Sequence, residues 1–496
     1  MKHIITAAAV TMILATTAFA QDNSQLNLSL QEAVKLAVER NLDVKAELYN
    51  TAQAEADIRK NRAIYETHLT LDTSYQDSTT VATSRVSGNE VKTFRIAPGA
   101  YRLFPSGGTL SLAYDNIYSN TNSDFATFST YWQSDLSLSL SQPLLKNFGR
   151  DSTELTIHVA ELGKEESLQR FKAKLLATVA LVESEYFKLG SLRDELASKK
   201  TSLELARRVL GDTEARVKAG ILPAMEILNA QFGVASREKE LIDAEKAVSD
   251  QVDTLRVLLH LETDVNIVTS DAPSRTEFSM NEDEAISRAL AQRPELEELK
   301  ASLASSDLQT RVARGRTLPD LNLTGSIAMT GLAERYRRTV EHIGSTDYPV
   351  WSIGLQLDYP LGNQAAENDY IKNRLKTEQI MIQISSLREA IAAEARASLR
   401  SVRTAFKQLE VADRGRDYAE ERLKAYLKKS EVGLATIKDI LDVENDLASA
   451  RSNQIKSQVA YVSAVSQLLK TTGELLERKG ITVDASLSDN LYGSTR

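Results

Sequence analysis

Histidines, cysteines and paired carboxylates are the residues with which this chain could do chemistry, and they are few. There is no cysteine, which removes disulfides, thiol nucleophiles, Cys-based zinc sites and a lipid-bearing N-terminal Cys. The histidines are His3, His68, His158, His260 and His342, and no two stand at metal-ligand spacing. No P-loop, G-x-S-x-G or G-x-G-x-x-G occurs. The chain is therefore not expected to be an enzyme or to need a cofactor or metal. Asp439 and Asp442 are the sharper feature. Three residues apart, they share a face if the segment is helical. They follow Val432-Gly433-Leu434, where glycine suits the φ > 0 position that ends a helix. Gly220-Ile221-Leu222 makes a similar break in the first half. Apolar residues at turns that water would reach suit a docking surface. Ordinary helix termination and a solvated helix face are the plainer explanations, in a chain with 26% charged residues.

The elements that must position these residues come in two copies. Glu32/Glu284, Ala33/Ala285, Ala37/Ala289, Arg59/Arg311, Leu69/Leu321 and Leu71/Leu323 are each 252 residues apart. The offset then falls to 217 at Tyr131/Tyr348, Leu138/Leu355 and Pro143/Pro360, which leaves 35 more residues in the first copy. It is 213 at Gly220/Gly433 and Ile227/Ile440. Each unit reads helix, strands, very long helix, sharp turn, returning helix. The first helix is expected from about Leu30 to Ala63, opened by a Ser29/Glu32 capping box, and its counterpart from near Asn281 to before Pro319. Long helices over about Thr153–Lys218 and Glu367–Glu431 carry narrow apolar seams. Phe171, Leu175, Val179, Val182 and Tyr186 form one, and Ile391, Ala395, Leu399, Val402 and Phe406 the other, as in coiled coils. At 1.5 Å per residue such a helix is roughly 100 Å long.

The strands alternate, most purely in Leu136-Ser137-Leu138-Ser139-Leu140 and Ile353-Gly354-Leu355-Gln356-Leu357. Alternation alone suits a half-buried soluble sheet as well as a transmembrane barrel. Two further signals favour the barrel. Lys2 and His3 precede an apolar run and Ala18-Phe19-Ala20, which reads as a secretory signal peptide over residues 1–20. Tyr101, Tyr114, Tyr118, Tyr131, Trp132 and Trp351 crowd the strands, as in an interfacial girdle. No later stretch is apolar enough for a transmembrane helix. A net charge of -8 with no basic stripe argues against a nucleic-acid partner.

The duplicated plan, the strand end Leu140-Ser141-Gln142-Pro143-Leu144 and the turn Val432-Gly433-Leu434-Ala435-Thr436-Ile437-Lys438-Asp439-Ile440-Leu441-Asp442 resemble the TolC-like outer-membrane efflux proteins over about residues 28–472. The resemblance implies a mixed α and β membrane protein: a trimeric outer-membrane β-barrel of four strands per protomer, continued by a long periplasmic α-helical coiled-coil barrel. It implies residues 21–262 and 278–472 as structural repeats, 263–277 as linker, and 473–496 as a tail near an equatorial collar. It implies a passive exit duct of a tripartite efflux pump. The duct of a type I protein-secretion system is an alternative, and an exported structural coiled-coil protein a more distant one. The partners would be two further copies, a periplasmic adaptor, an inner-membrane pump and outer-membrane lipid. Asp439, Asp442 and Glu226 would ring the periplasmic aperture, with pKa values raised by mutual repulsion. Val432, Gly433, Leu434, Gly220 and Ile221 would form adaptor-docking tips, Gly433 allowing close backbone approach. The 35 additional residues are expected to form a loop or folded-over hairpin rather than two more strands, because the second copy keeps the ordinary two-strand length.

Overall fold

A computed structural model describes residues 25–81, 88–262, 265–484 and 486–495; the expected signal peptide lies outside them. In chain order the elements are β1 (Gln25–Leu28), α1 (Leu30–Arg40), α2 (Leu42–Arg62), β2 (His68–Thr79), β3 (Glu90–Leu103), β4 (Thr109–Thr121), β5 (Thr130–Pro143), α3 (Arg150–Thr153), α4 (Leu155–Lys218), α5 (Met225–Leu259), β6 (Asn266–Thr269), α6 (Glu282–Gln292), α7 (Pro294–Gly315), β7 (Asp320–Ala333), α8 (Tyr336–Ser345), β8 (Pro349–Asp358), α9 (Gln364–Glu431), α10 (Ile437–Thr472), α11 (Leu475–Arg478) and α12 (Ser486–Ser494). They divide into two units. The first joins the chain up to Leu42 with Ala177–Ser279 and Ser398–Lys470; the second joins Asp43–Leu176, Met280–Ala397 and the chain from Thr471.

The expected continuous first helix is broken in both copies. Ser29 and Glu32 form the capping box that opens α1, but the backbone leaves the helix at Asn41 (ψ 126°). Its repeat counterpart Arg293 does the same (ψ 122°). The cause is plain in the second copy: Pro294 disfavours helical backbone in the residue before it and restarts a helix at its first position. In the first copy Asn41 has no proline after it; its side-chain amide instead donates to the Leu258 carbonyl (2.9 Å).

In the first unit, β1 pairs in parallel with β6, a strand inside the expected polar linker. Buried Tyr186 ties the two, its hydroxyl donating to the Leu28 carbonyl (2.7 Å) and accepting from the Ser270 N–H (3.1 Å). The seams are buried as their spacing requires: Phe171, Leu175, Val179, Val182 and Tyr186 on α4, and Ile391, Ala395, Leu399 and Val402 on α9. In the second unit, Ile391 and Ala395 pack with Ala289 and Leu296 of α6 and α7.

The second unit also holds an antiparallel sheet in the order β2-β3-β4-β5-β7-β8. This corrects the expectation of four strands and of a folded-over insertion. The additional residues form two full strands, fourteen and thirteen residues long. β2 matches β7 at the 252 offset and β5 matches β8 at the 217 offset. The new hairpin is thus inserted between two strands that are direct neighbours in the other copy. The turn Pro105-Ser106-Gly107-Gly108 joins β3 and β4. It is held by Gln142, which accepts from the Ser106 hydroxyl (2.7 Å) and donates to the Ser106 carbonyl (3.0 Å).

Registers place one side of every strand on a common face. Leu69 and Leu71 of β2, Leu112 of β4, Leu138 of β5, Ile327 of β7 and Leu355 of β8 all lie on it. These side chains are exposed, Leu69 by 83% and Leu355 by 68%. The other face carries Asp72, Arg95, Asp115, Asp135 and serines. Near the loop end α8 packs on the apolar face, with Tyr336 edge-on to Trp132 and Thr339 buried beside Ser134. At the opposite end His68 stacks on Tyr101.

Candidate functional site

The first unit contains both sharp turns. In each, glycine has a positive φ: +72° at Gly220 and +76° at Gly433. The next N–H then reaches back five residues, Ile221 to the Arg216 carbonyl and Leu434 to the Lys429 carbonyl, closing the last helical turn. Nothing lies within 4 Å of where a Cβ would sit on either glycine. Within the chain, backbone conformation therefore demands glycine here. Ile221, Val432 and Leu434 are 70%, 69% and 77% exposed, so water covers the apolar side chains expected to dock a partner.

Asp439 is placed by the helix that follows. Thr436 precedes α10, and its hydroxyl and N–H both donate to the Asp439 carboxylate (2.7 and 2.8 Å), while the Asp439 N–H donates to the Thr436 hydroxyl (3.1 Å). This is a reciprocal cap of the helix start. The Thr436 hydroxyl first, and its N–H second, hold the Asp439 carboxyl below its usual range. Asp442 is exposed one turn on, and among the described residues it has no ion pair. Glu226 has no such cap, because Pro223 stands where Thr436 stands in the second copy; it accepts instead from the Asn229 amide (3.3 Å).

The two returning helices lie side by side just beyond these carboxylates. A Cβ on Gly233 of α5 would sit 3.3 Å from Leu441 of α10. One turn further, Arg237 of α5 and Glu444 of α10, each 6% exposed at the side chain, meet at 2.7 Å. The charges touch without hydrogen-bond alignment, since Glu444 Oε2 is buried with no hydrogen-bond partner. Arg237 also reaches Glu240 (2.7 Å) and Asn445. This pair was not anticipated. Its signal was a charge inside an apolar seam, Glu444 among Ile440, Val443 and Leu447, which pack with Leu423. A second surface was also missed: Met225, Leu228 and Phe232 of α5 step by three and four and are all exposed.

The described residues include no cluster of His, Cys, Asp and Glu that could hold a metal and no helix long and apolar enough to cross a membrane.

Comparison with known proteins agrees with this architecture. The profile of the outer membrane efflux protein family matches residues 33–259 and 285–474, and the chain belongs to that family. It is 23% identical over 304 residues to the pyoverdine export outer membrane protein OpmQ of Pseudomonas aeruginosa, covering 60% of this chain and 61% of that one. It is 22% identical over 350 residues to the outer membrane protein TolC of Vibrio cholerae, covering 68% and 76%. The match to OpmQ thus spans about three fifths of that relative's length. Among solved structures, the CmeC outer membrane channel of Campylobacter jejuni aligns with a TM-score of 0.68 at 16% identity, over 94% of this chain and 90% of that one. The outer-membrane channel OprN aligns with a TM-score of 0.69 at 14% identity, over 90% of each. At these identities the likeness establishes the fold.

Proposed function

We propose that the chain is one of three protomers of an outer-membrane channel, the passive exit duct of a tripartite efflux pump. The observation that carries this reading is the sheet: six strands with an apolar face exposed beyond the patch that α8 covers, a polar opposite face, and free edges at β2 and β8. In water such a face and such edges are a liability. In a membrane the apolar face meets lipid, the polar face meets the channel, and pairing with two further copies removes both edges. The rings grouped at the loop end of the apolar face, Tyr118, Trp132 and Tyr336, support an interfacial girdle. Two relatives carry names for pyoverdine export, which supports a small exported metabolite as cargo.

In this reading the helices form the periplasmic conduit. Ile221, Val432 and Leu434, set at their turns by Gly220 and Gly433, meet a periplasmic adaptor coupled to an inner-membrane pump. Asp439, Asp442 and Glu226 surround the aperture, where three-fold repetition concentrates negative charge and draws in cations. The test is the purified full chain in planar bilayers beside the Asp439→Asn/Asp442→Asn double variant. Wild type should conduct with cation selectivity and be blocked by trivalent metal ions, and the double variant should lose part of both. A chain recovered in the soluble periplasmic fraction and silent in bilayers defeats the conduit reading. Unchanged selectivity and block in the double variant defeat the aperture assignment alone.

A further inference from the structure

The β3–β4 hairpin has every mark of a wall element. Its pairing is unbroken on both sides: β2 to β3 from His68↔Tyr101 to Thr79↔Glu90, and β4 to β5 from Thr109↔Ser141 to Asn120↔Thr130. Its strands exceed the roughly 9–11 residues that a tilted strand needs to span a bilayer. Its alternation is in phase with its neighbours. Phe94 stands opposite Tyr75, and Leu112 opposite Leu138, so the apolar face continues through the insertion; the polar pair Asn116 and Ser134 on that face is buried beside Thr339 of α8. On the other face Arg95 and Asp115 form a two-pronged ion pair between the inserted strands (Nε to Oδ1 2.8 Å, Nη2 to Oδ2 2.6 Å). A loop folded over the mouth has no physical reason to keep lipid-type side chains in register with a wall and charges opposite. The turn at Ser106 is also fastened where β5 passes into the helices, because the Gly149 N–H donates to the Ser106 carbonyl (3.1 Å) alongside Gln142.

We propose that β3 and β4 are two lipid-facing staves of the channel wall, so that three copies close a portal of eighteen strands. Such a portal admits bulkier hydrophilic cargo than a ring built from four strands per protomer. The inference rests on the conduit reading above and specifies the aperture of that conduit at the outer membrane. Barrel diameter grows about linearly with strand number, so eighteen strands give a ring about half as wide again as twelve.

The absence of cysteine makes every introduced thiol unique. Single variants Ile96→Cys and Leu112→Cys on the apolar face, and Ser111→Cys and Ala113→Cys on the polar face, are spin-labelled in the full chain and reconstituted in phospholipid vesicles. The expected result is alternation: labels at 96 and 112 collide with dissolved oxygen in lipid, and labels at 111 and 113 with a water-soluble nickel chelate. Equal access of the chelate to all four positions overturns the proposal. Deletion of Gly88–Asn122, which leaves β2 free to pair with β5, should narrow the ring seen by electron microscopy by about a third, and an unchanged ring width also overturns it. If the deletion variant does not assemble, the alternation decides. Failure of the full chain to insert in membranes would fell the conduit reading, whereas insertion without alternation would fell only the six-strand wall.

Discussion

Arg237 and Glu444 set the largest single-residue stake in the returning helices. Two side chains 6% exposed and 2.7 Å apart cost desolvation that their mutual contact, with Glu240 and Asn445 beside Arg237, offsets. Removing one leaves the other charged and buried, an effect of about 3–5 kcal/mol. Arg237→Ala and Glu444→Ala should each lower the urea midpoint for loss of helical signal, and Arg237→Met/Glu444→Leu should recover most of it. Equal loss in the double variant would mean that the pair contributes packing rather than charge. Asp439 makes a smaller, pH-dependent contribution. Its carboxyl is held below the ordinary aspartate range by Thr436, so the stabilising charge at the start of α10 is complete above that range and is lost as pH falls through the lowered value. Cation selectivity measured as a reversal potential should therefore persist in an Asp442→Asn channel on acidification to about pH 4. In Thr436→Ala/Asp442→Asn it should fade at higher pH, and coincident titrations would rule out Thr436 as the cause.

The hairpin turns illustrate what an element demands of its sequence. With φ of +76° and open space around it, Gly433 is a poor position for testing docking, since any side chain there strains the cap. Ile221→Asp and Leu434→Asp alter only the exposed surface. They should abolish export in cells while channel abundance and bilayer conductance stay at wild-type levels; retained export would remove the adaptor-docking role. Much at this scale was legible. Seams at helical spacing and glycines before a returning apolar pattern fall where the buried seams and capped turns are, because both express backbone periodicity that a sequence carries locally. The break at Arg293 was legible too, in Pro294, but its mate at Asn41 rests on a contact with Leu258, 217 residues away, and no local pattern records that. The β1–β6 pair was hidden for the same reason: four-residue strands in parallel register depend on Tyr186 to hold them. The inserted strands were misjudged by analogy with the shorter copy, although thirty-five residues suffice for two bilayer crossings and a turn.

At the scale of the whole molecule, the free edges of β2 and β8 are the feature most in need of company. Light scattering in detergent, corrected for the bound detergent, should give a protein mass three times that of the protomer; a single-protomer mass would leave those edges without an explanation. The position of the inserted hairpin carries a further consequence. It leaves β2 and rejoins β5 at the same rim of the sheet, so every later segment keeps its side of the membrane. A single additional strand would deliver the next helix to the cell exterior. Sheets on this plan can therefore enlarge only by quanta of two strands per chain, and each such step can be gained or lost as a cassette without re-registering any strand already in place.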